Sequence, residues 1–352
     1  MRFNWRAALG IVLSAALLVW TLWGIDPADV WSHLRGSNLP LLLLATVVAT
    51  LIFPMRAWRW RYILAPIDAT LPFGMLWRAT AIGMMVNNVA PLRAGEVARA
   101  YALSRESSGR VPFSSAFASL AADRVFDAVV VLLLMIAAML DPAFGAHDAS
   151  QRARVVEWVK VGVVVAAAAL VGLYVIVFFP ERMVRLYEGL TRRLSPRLRE
   201  RGRAILLAFA AGLGVLRSPV RFALVLVWTT AHWLVNGLAF WLGFVAVGMD
   251  VPFSAGLMLQ GIIAIGVAIP SAPGFFGVFE AFAKLGLSAY GVDETLAVSW
   301  AIGFHLLSFL PITVIGLVYF VRLGMHFREL RPPPEPSAAD AAVPSRPSPE
   351  RA

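Results

Sequence analysis

The chain has 352 residues, of which 59% are hydrophobic and 15% are charged, and its formal net charge is +10. Soluble domains are about 45–50% apolar and about 25% charged, so this composition excludes an ordinary globular enzyme and indicates a protein of the membrane. The sequence has no cysteine, which excludes thiolate metal sites and disulfides.

Six apolar segments come close to the roughly 20 residues that a membrane-spanning helix needs. They are residues 7–25, 39–53, 113–140, 159–179, 222–247 and 296–321. We expect Pro54 to end the second of them. Two shorter apolar stretches run into proline, glycine or asparagine, and we interpret them as re-entrant hairpins over residues 74–100 and 254–286. The predicted fold is therefore an all-α polytopic membrane protein with six spanning helices and two hairpins.

The basic residues are almost all arginines, and they fall between the apolar segments. This placement indicates cytoplasmic loops and contact with anionic lipid headgroups, not nucleic acid. If neither hairpin crosses, most arginine-rich segments lie on one side of the membrane, including the one with Arg56, Arg59 and Arg61. We therefore expect both termini in the cytoplasm.

Three regions follow from this interpretation. Residues 1–140 form a first membrane repeat with two spans, a hairpin and one more span. Residues 141–330 form a second repeat, which also holds a cytoplasmic interfacial helix over 181–216, where apolar and arginine side chains alternate at helical spacing. Residues 331–352 are rich in proline and poor in apolar groups, which predicts a disordered cytoplasmic tail and no soluble catalytic domain.

The two hairpins share a short sequence pattern. Ala90-Pro91 is followed by Gly95, and Ala272-Pro273 is followed by Gly277 at the same spacing. With three crossings in each half, the second half would be inverted relative to the first, as in many transporters. The alternative is a chance match of small residues and proline in an apolar chain.

The first hairpin carries a dense polar cluster. Its members are Asn88, Pro91, Arg93, Gly95, Glu96 and Arg99. Proline and glycine free backbone groups, and the arginine guanidinium groups have the planar shape that suits phosphate oxygens. The alternative is an ordinary cytoplasmic loop with snorkelling arginines and a Glu96–Arg99 helix pair.

Three charged residues, Asp123, Arg124 and Asp127, lie well inside the segment over 113–140. Charges at such depth usually face a cavity or a partner. They are candidates for the headgroup or ion pathway, or else for a buried ion pair that fixes helix packing.

The second hairpin contains Pro273, Gly274, Gly277 and Glu280, where the backbone can approach a ligand closely. Glu280 and Lys284 are spaced for a helical ion pair.

Proton coupling is a further possibility for Asp123, Glu280 and His305. His232, Asn236 and His305 are single polar residues in spans, and such residues more often form interhelical hydrogen bonds.

These segments resemble the flippase-like family named for the transmembrane region of lysylphosphatidylglycerol synthase. The family signature runs N-x-x-P-x-R-x-G-E-x-x-R, then an acidic-Arg-x-x-Asp element, then P-x-x-P-G-x-x-G-x-x-E. All three occur in order between Asn88 and Glu280, although Asp123 stands where glutamate is expected. The resemblance implies a multi-pass protein of the cell inner membrane in a group that translocates lipids. Its best-known relatives carry a soluble aminoacyl-transferase domain, which we do not expect here.

The leading hypothesis is therefore a lipid translocase for a phosphate-bearing or otherwise polar headgroup. We expect no cofactor, no metal and no catalytic residue, and the lack of a P-loop motif argues against direct ATP use. The expected partners are membrane lipids with anionic headgroups and a possible lipid-modifying enzyme. Two alternatives remain: a membrane scaffold for a lipid- or glycan-modifying enzyme, and an intramembrane glycosyl or phosphoryl transferase that uses Asp26 and Asp29.

Overall fold

The computed structural model describes residues 5–90, 94–146, 179–191, 218–268 and 271–326, together with isolated positions between 150 and 175 and between 200 and 203. Every regular element in these ranges is helical. The helices are α1 (Trp5–Leu22), α2 (Pro27–Gly36), α3 (Leu39–Leu64), α4 (Phe73–Val89), α5 (Gly95–Glu106), α6 (Phe113–Ala138), α7 (Pro180–Leu190), α8 (Pro219–Ala246), α9 (Phe253–Gly266), α10 (Val278–Ser288) and α11 (Glu294–Arg322).

Three of these helices, α3, α8 and α11, are long and apolar enough to cross a membrane, and α1 with α2 forms a fourth candidate that is bent by 79°. The chain is thus a multi-pass, all-helical membrane protein. The count of six spans stays a prediction. Helix α6 has the length to cross but carries three charged residues near its middle, and most of the predicted span over 159–179 lies outside the described residues.

The predicted end of the second span at Pro54 is wrong, because α3 continues through Pro54 to Leu64. Neighbouring helices can satisfy the backbone groups that a proline frees in a membrane helix. The turns after Pro54 are held by burial: Trp60 and Ile63 are fully buried in a core with α4, α5 and α6.

Arg56 and Arg59 therefore do not lie in a cytoplasmic loop. Both lie on the continuous α3 helix and are buried in the protein.

The first predicted hairpin is formed by α4 and α5, which pack against each other in opposite directions. Gly83 approaches Arg99 and the carbonyl oxygen of Gly95 so closely that a Cβ atom would clash. At the tip, Gly95 N donates to Asn87 Oδ1 at 2.8 Å. The missing side chain at Gly83 is what allows these two helices to touch.

The second predicted hairpin is formed by α9, a short 3-10 helix (Pro273–Phe275) and α10. Gly274 and Gly277 have φ angles of +69° and +83°, values that glycine adopts without strain. Gly266 lies so close to the ring of Phe282 that a Cβ atom would clash, and this close approach packs α9 against α10. The chain turns sharply where the sequence places proline and glycine.

Two hydrophobic cores lie at opposite ends of the long helices. The first core joins the first hairpin to the C-terminal ends of α3 and α11 and to the N-terminal ends of α6 and α8. The second core joins the second hairpin to the other ends of the same four helices. The charged residues of α3 and α6 lie at the first core, beside its members Ala57, Trp60, Ala122 and Phe126.

The remaining predictions concern segments that are described only in part. Helix α7, Pro180–Leu190, lies at the start of the predicted interfacial segment over 181–216, which stays a prediction because most of the segment lies outside the described residues. The predicted disordered tail over 331–352 also lies outside them.

Candidate functional site

Arg59 is the centre of a buried ion-pair network between α3 and α6. Its Nη1 donates to Asp127 Oδ1 at 2.6 Å, and its Nη2 donates to Asp123 Oδ1. The side chains of Arg59 and Asp123 are fully buried, and that of Asp127 is 8% exposed. One guanidinium thus bridges two carboxylates that stand one turn apart on α6.

Arg56 and Arg99 complete the buried part of the network with longer contacts. Arg56 Nη2 lies 3.5 Å from Asp127 Oδ2, and Arg99 Nη1 lies 3.4 Å from Asp123 Oδ2. The Arg99 guanidinium also lies 4.0 Å from the centroid of the Trp60 ring, a cation–π contact. The alternative Glu96–Arg99 helix pair is therefore wrong, because Arg99 turns toward the carboxylate on α6.

Arg124 is the most accessible arginine of the cluster, with 38% of its side chain exposed. Its Nη2 donates to Glu96 Oε1 at 2.7 Å, and its Nη1 lies 3.5 Å from Asp127 Oδ2, one turn farther along α6. Glu96 therefore orients Arg124 on α6.

The described cluster carries an excess of positive charge. Four arginines face three carboxylates, and the members are Arg56, Arg59, Arg99, Arg124, Glu96, Asp123 and Asp127. A buried charge without a partner is costly, so a surplus cation at the edge of a cavity favours the binding of an anion.

A cavity of about 670 Å³ opens beside this cluster, between the two hairpins and helices α3, α6 and α8. Its polar lining residues are Arg56, Asn87, Glu96, Arg124, Asp127, His232, Trp233, Asn236 and Gln260. The rest of the wall is apolar, with side chains such as Leu132, Met135 and Phe240. The cavity thus has a charged end and an apolar body.

The wall on α8 adds three polar contacts. Trp233 Nε1 donates to Asp127 Oδ1 at 3.0 Å, and His232 Nε2 lies 3.6 Å from the same oxygen. One turn farther on, Asn236 Nδ2 donates to Gln260 Oε1 at 3.0 Å across to α9. The expectation of an interhelical hydrogen bond is confirmed for Asn236.

The predicted residues of the first hairpin have different surroundings. Glu96 lines the cavity, together with Arg124 and Asp127 from α6. Asn88 instead faces α11, where its Nδ2 donates to Thr313 Oγ1 at 2.6 Å. Gly95 packs against Gly83 and Asn87.

The other predicted members lie elsewhere. Pro91 and Arg93 are outside the described residues. Asp123 and Arg99 are buried behind the cavity wall.

The predicted residues of the second hairpin shape the chain more than they touch the cavity. The 3-10 helix that begins with Pro273 and Gly274 contacts α4, and Phe275 from this helix lines the cavity. Gly277 packs against the backbone of Ser14 on α1. Pro273, Gly274 and Gly277, which the sequence pattern predicted as site residues, therefore position the turn. Their neighbour Phe275 lines the cavity.

The predicted Glu280–Lys284 pair is wrong. Glu280 Oε2 accepts from Gly277 N at 2.7 Å, and its Oε1 lies 2.7 Å from His305 Nδ1 on α11. Lys284 pairs instead with Glu294 at 2.7 Å. One partner of Glu280 lies in the preceding turn and the other lies on α11. Spacing along α10 alone therefore could not predict either of them.

The Glu280–His305 pair is buried apart from the cavity. The His305 ring stacks on Phe276 with centroids 4.6 Å apart, and the tilted ring of Phe279 lies against it with centroids 4.3 Å apart. The interhelical contact expected for His305 is confirmed, and a role in proton coupling stays a prediction.

Sequence reasoning missed Arg56, Arg59, Trp233 and Gln260 as members of the site. Arg56 and Arg59 are three residues apart, so they share one face of a helix that continues past Pro54. The spacing could have indicated this shared face if the helix had been extended beyond the proline. Nothing in the local sequence distinguishes Gln260 from other polar residues of an apolar helix. Among the described residues, no group of three or more acidic, histidine or cysteine side chains could hold a metal ion.

Comparisons with known proteins agree with this architecture. Residues 7–316 match the family model described as the lysylphosphatidylglycerol synthase TM region. A UPF0104 membrane protein of Methanothermobacter thermautotrophicus is 24% identical over 344 residues, which cover 92% of this chain and 97% of that protein. The UPF0104 membrane protein PH1989 of Pyrococcus horikoshii is 23% identical over 329 residues, covering 87% and 94%.

A further relative is larger. The protein named glycosyltransferase AglD of Haloferax volcanii is 29% identical over 299 residues, which are 77% of this chain. The match spans about half of that relative, 47% of its length. Together with the family match over almost the whole chain, these likenesses show that the protein belongs to the family of the lysylphosphatidylglycerol synthase transmembrane region.

Proposed function

We propose that the protein moves a lipid with a phosphate-bearing or otherwise polar headgroup between the two leaflets of the membrane, without direct use of ATP. The observation that carries this proposal is the cavity beside the arginine cluster, lined by both hairpins. Its charged end suits an anionic headgroup, and its apolar body suits the neighbouring acyl region.

The energetic problem of lipid translocation is the loss of water around a charged headgroup. A charged side chain in the middle of a membrane helix already costs about 2.5–3.5 kcal/mol on insertion scales. Arg124 and Arg56 line the cavity and can replace part of the lost hydration with charge-assisted hydrogen bonds. The guanidinium groups of these two residues are the headgroup contacts in this proposal.

The arrangement of the hairpins supports a path with two entrances. They pack at opposite ends of the same four long helices and meet at the cavity between the two cores. Irregular backbone at membrane depth is tolerated where it lines a cavity or is buried in protein. We infer that both hairpins are re-entrant, that the two halves form an inverted repeat, and that each hairpin opens the cavity to one leaflet.

The same topology gives an orientation. The first hairpin, with the ends of α3 and α11 that carry Arg61 and Arg322, would face the cytoplasm under the positive-inside rule. Both termini then lie in the cytoplasm, and the membrane is the cell inner membrane.

The test is reconstitution of the purified chain in liposomes with acyl-labelled phosphatidate and an impermeant quencher of the label. We expect movement of the label by the unmodified protein and at least a tenfold slower rate for Arg124→Gln, because hydrogen bonds to charged groups contribute about 1.5–3 kcal/mol. Arg124→Lys keeps the charge but not the planar fork and should recover only part of the rate.

The matched control is Arg110→Gln. Arg110 also pairs with a carboxylate, Asp68, at 3.0 Å, but it is half exposed and is not a cavity residue. A folded Arg124→Gln protein that moves phosphatidate at the normal rate would contradict the proposed headgroup contact. Liposomes in which the unmodified protein moves no lipid would contradict translocation altogether.

A second candidate is a scaffold for a lipid- or glycan-modifying enzyme. The observation that favours it is the match to about half of a relative named glycosyltransferase, in which this membrane module accompanies a further half. This role predicts capture of an enzyme and no lipid movement in liposomes.

A transferase activity of the chain itself is less well supported. Asp26 accepts a hydrogen bond from Ala28 N at 2.8 Å and so caps α2, a structural role. Product formation from a labelled donor lipid would favour this activity over the proposal.

A further inference from the structure

The cavity has a second polar patch that carries no charge. It consists of Asn236 on α8 and Gln260 on α9, which are joined by their hydrogen bond of 3.0 Å and both line the cavity. Gln260 is 2% exposed, and its Nε2 has no hydrogen-bond partner among the described residues. Because an unpaired buried donor is unfavourable, this amide is a place where a ligand oxygen would be stabilised.

The amide patch follows the residues that face Asp127 by about one turn along α8. His232 and Trp233 face Asp127, and Asn236 follows one helical turn later on α8. Four residues of α-helix advance by about 6 Å. This spacing is on the scale of the distance between a phosphate and the hydroxyl groups of an alcohol esterified to it.

Aromatic side chains also line the cavity. Trp233 and Phe240 contribute from α8, and Phe275 contributes from the tip of the second hairpin. Binding sites for small polar molecules commonly combine an apolar and aromatic wall with a few placed hydrogen-bonding groups. An aromatic face packs well against the C–H surface of a ring that carries hydroxyl groups around its edge.

We propose that the amide patch binds the hydroxyl groups of a ring-shaped, uncharged polyol, such as a sugar, that is joined to the phosphate of the transported lipid. This inference rests on the proposed function, since Arg56 and Arg124 hold the phosphate. Gln260 Nε2 donates to a ring hydroxyl oxygen, while Asn236 holds the amide of Gln260 in place. The substrate class is therefore a phosphate-linked glycolipid or its cyclic-polyol analogue.

The test measures binding in detergent with three dihexanoyl lipids: phosphatidylinositol, phosphatidylglycerol and phosphatidate. We expect phosphatidylinositol to bind about tenfold more tightly than phosphatidate, with phosphatidylglycerol between them, since each added neutral hydrogen bond has a modest effect. In the double variant Asn236→Leu with Gln260→Met, the advantage of phosphatidylinositol over phosphatidate should disappear, so that the ratio of the two affinities falls to about one. The control is Thr46→Val, which removes a buried hydroxyl bonded only within α3.

Each outcome of this test either supports or overturns the proposed subsite. Equal binding of phosphatidylinositol and phosphatidate by the unmodified protein overturns the proposal, and so does an advantage that survives in the double variant. Phosphatidylglycerol that binds as tightly as phosphatidylinositol overturns the preference for a ring. Binding in detergent needs no translocation, so a protein that discriminates the headgroups but moves no lipid contradicts the proposed function and leaves the subsite supported.

Discussion

The two hairpins share a sequence pattern, yet the structure gives their acidic residues different partners. In the first hairpin, Glu96 follows Gly95 and reaches out to Arg124 at the cavity. In the second, Glu280 lies three residues after Gly277 and turns back to the Gly277 amide and to His305. One carboxylate belongs to the charged wall, and the other holds a turn. A matched motif can therefore fix the shape of a hairpin without fixing the chemistry of its side chains.

The regions around the hairpins differ in the same way. The first hairpin packs where α3 and α6 carry the arginine and aspartate network, whereas the second packs against aromatic rings such as Phe240, Trp300 and Phe304. We infer that the first half of the molecule recognises the charge of the headgroup and that the second half shapes the path.

The largest expected effect comes from breaking the network of the first half. Arg59→Met leaves Asp123 and Asp127 without their shortest ion pairs, and removal of one partner from a buried pair costs about 3–5 kcal/mol. We expect a large fall in the free energy of unfolding of the purified protein, or no accumulation of folded protein.

The matched control for this change is again Arg110→Gln, which should alter stability by no more than about 1 kcal/mol because its ion pair is exposed. If Arg59→Met were as stable as the unmodified protein, the network would not hold α3 to α6 as described.

A smaller effect separates the two glutamates. Glu280→Gln should lower the free energy of unfolding by about 1–2 kcal/mol, because it weakens bonds to the Gly277 amide and His305, and should leave phosphatidate binding unchanged. Glu96→Gln should instead change phosphatidate binding and leave the free energy of unfolding nearly unchanged. It removes the carboxylate that competes for Arg124, so phosphatidate should bind a few-fold more tightly while stability changes by less than about 1 kcal/mol.

Thermal unfolding and dihexanoyl phosphatidate binding, measured on both variants, test this separation. If Glu280→Gln altered binding as strongly as Glu96→Gln, the two hairpins would share one chemical role. The different roles assigned to Glu96 and Glu280 would then be wrong.

The sequence predicted the hairpins because proline, glycine and asparagine interrupt apolar runs, and such breaks are local. It also predicted Asp123 and Asp127 as candidate site residues, because both are charged and stand in an otherwise apolar helix. The partners of those charges were not predictable in the same way. Arg56 and Arg59 follow a proline that normally ends a helix, and only packing of the later turns of α3 carries them inward.

The prediction of a Glu280–Lys284 pair was wrong for a similar reason. Spacing along one helix shows which side chains share a face, but Glu280 satisfies a backbone amide freed by the turn, and Lys284 reaches Glu294 at the start of the next helix. These contacts depend on where the neighbouring helices lie, which is information from the tertiary fold.

In the proposed function, the cavity shared by the two hairpins is the path of the lipid. Ala264 on α9 lines this cavity and is only partly buried, so Ala264→Trp adds bulk there without a change of charge. The control is Val227→Trp, at an α8 position that is 63% exposed. In liposomes with acyl-labelled phosphatidate, we expect Ala264→Trp to slow translocation at least tenfold while its thermal unfolding matches that of the control. A folded Ala264→Trp protein that translocates phosphatidate at the rate of the control would contradict this claim.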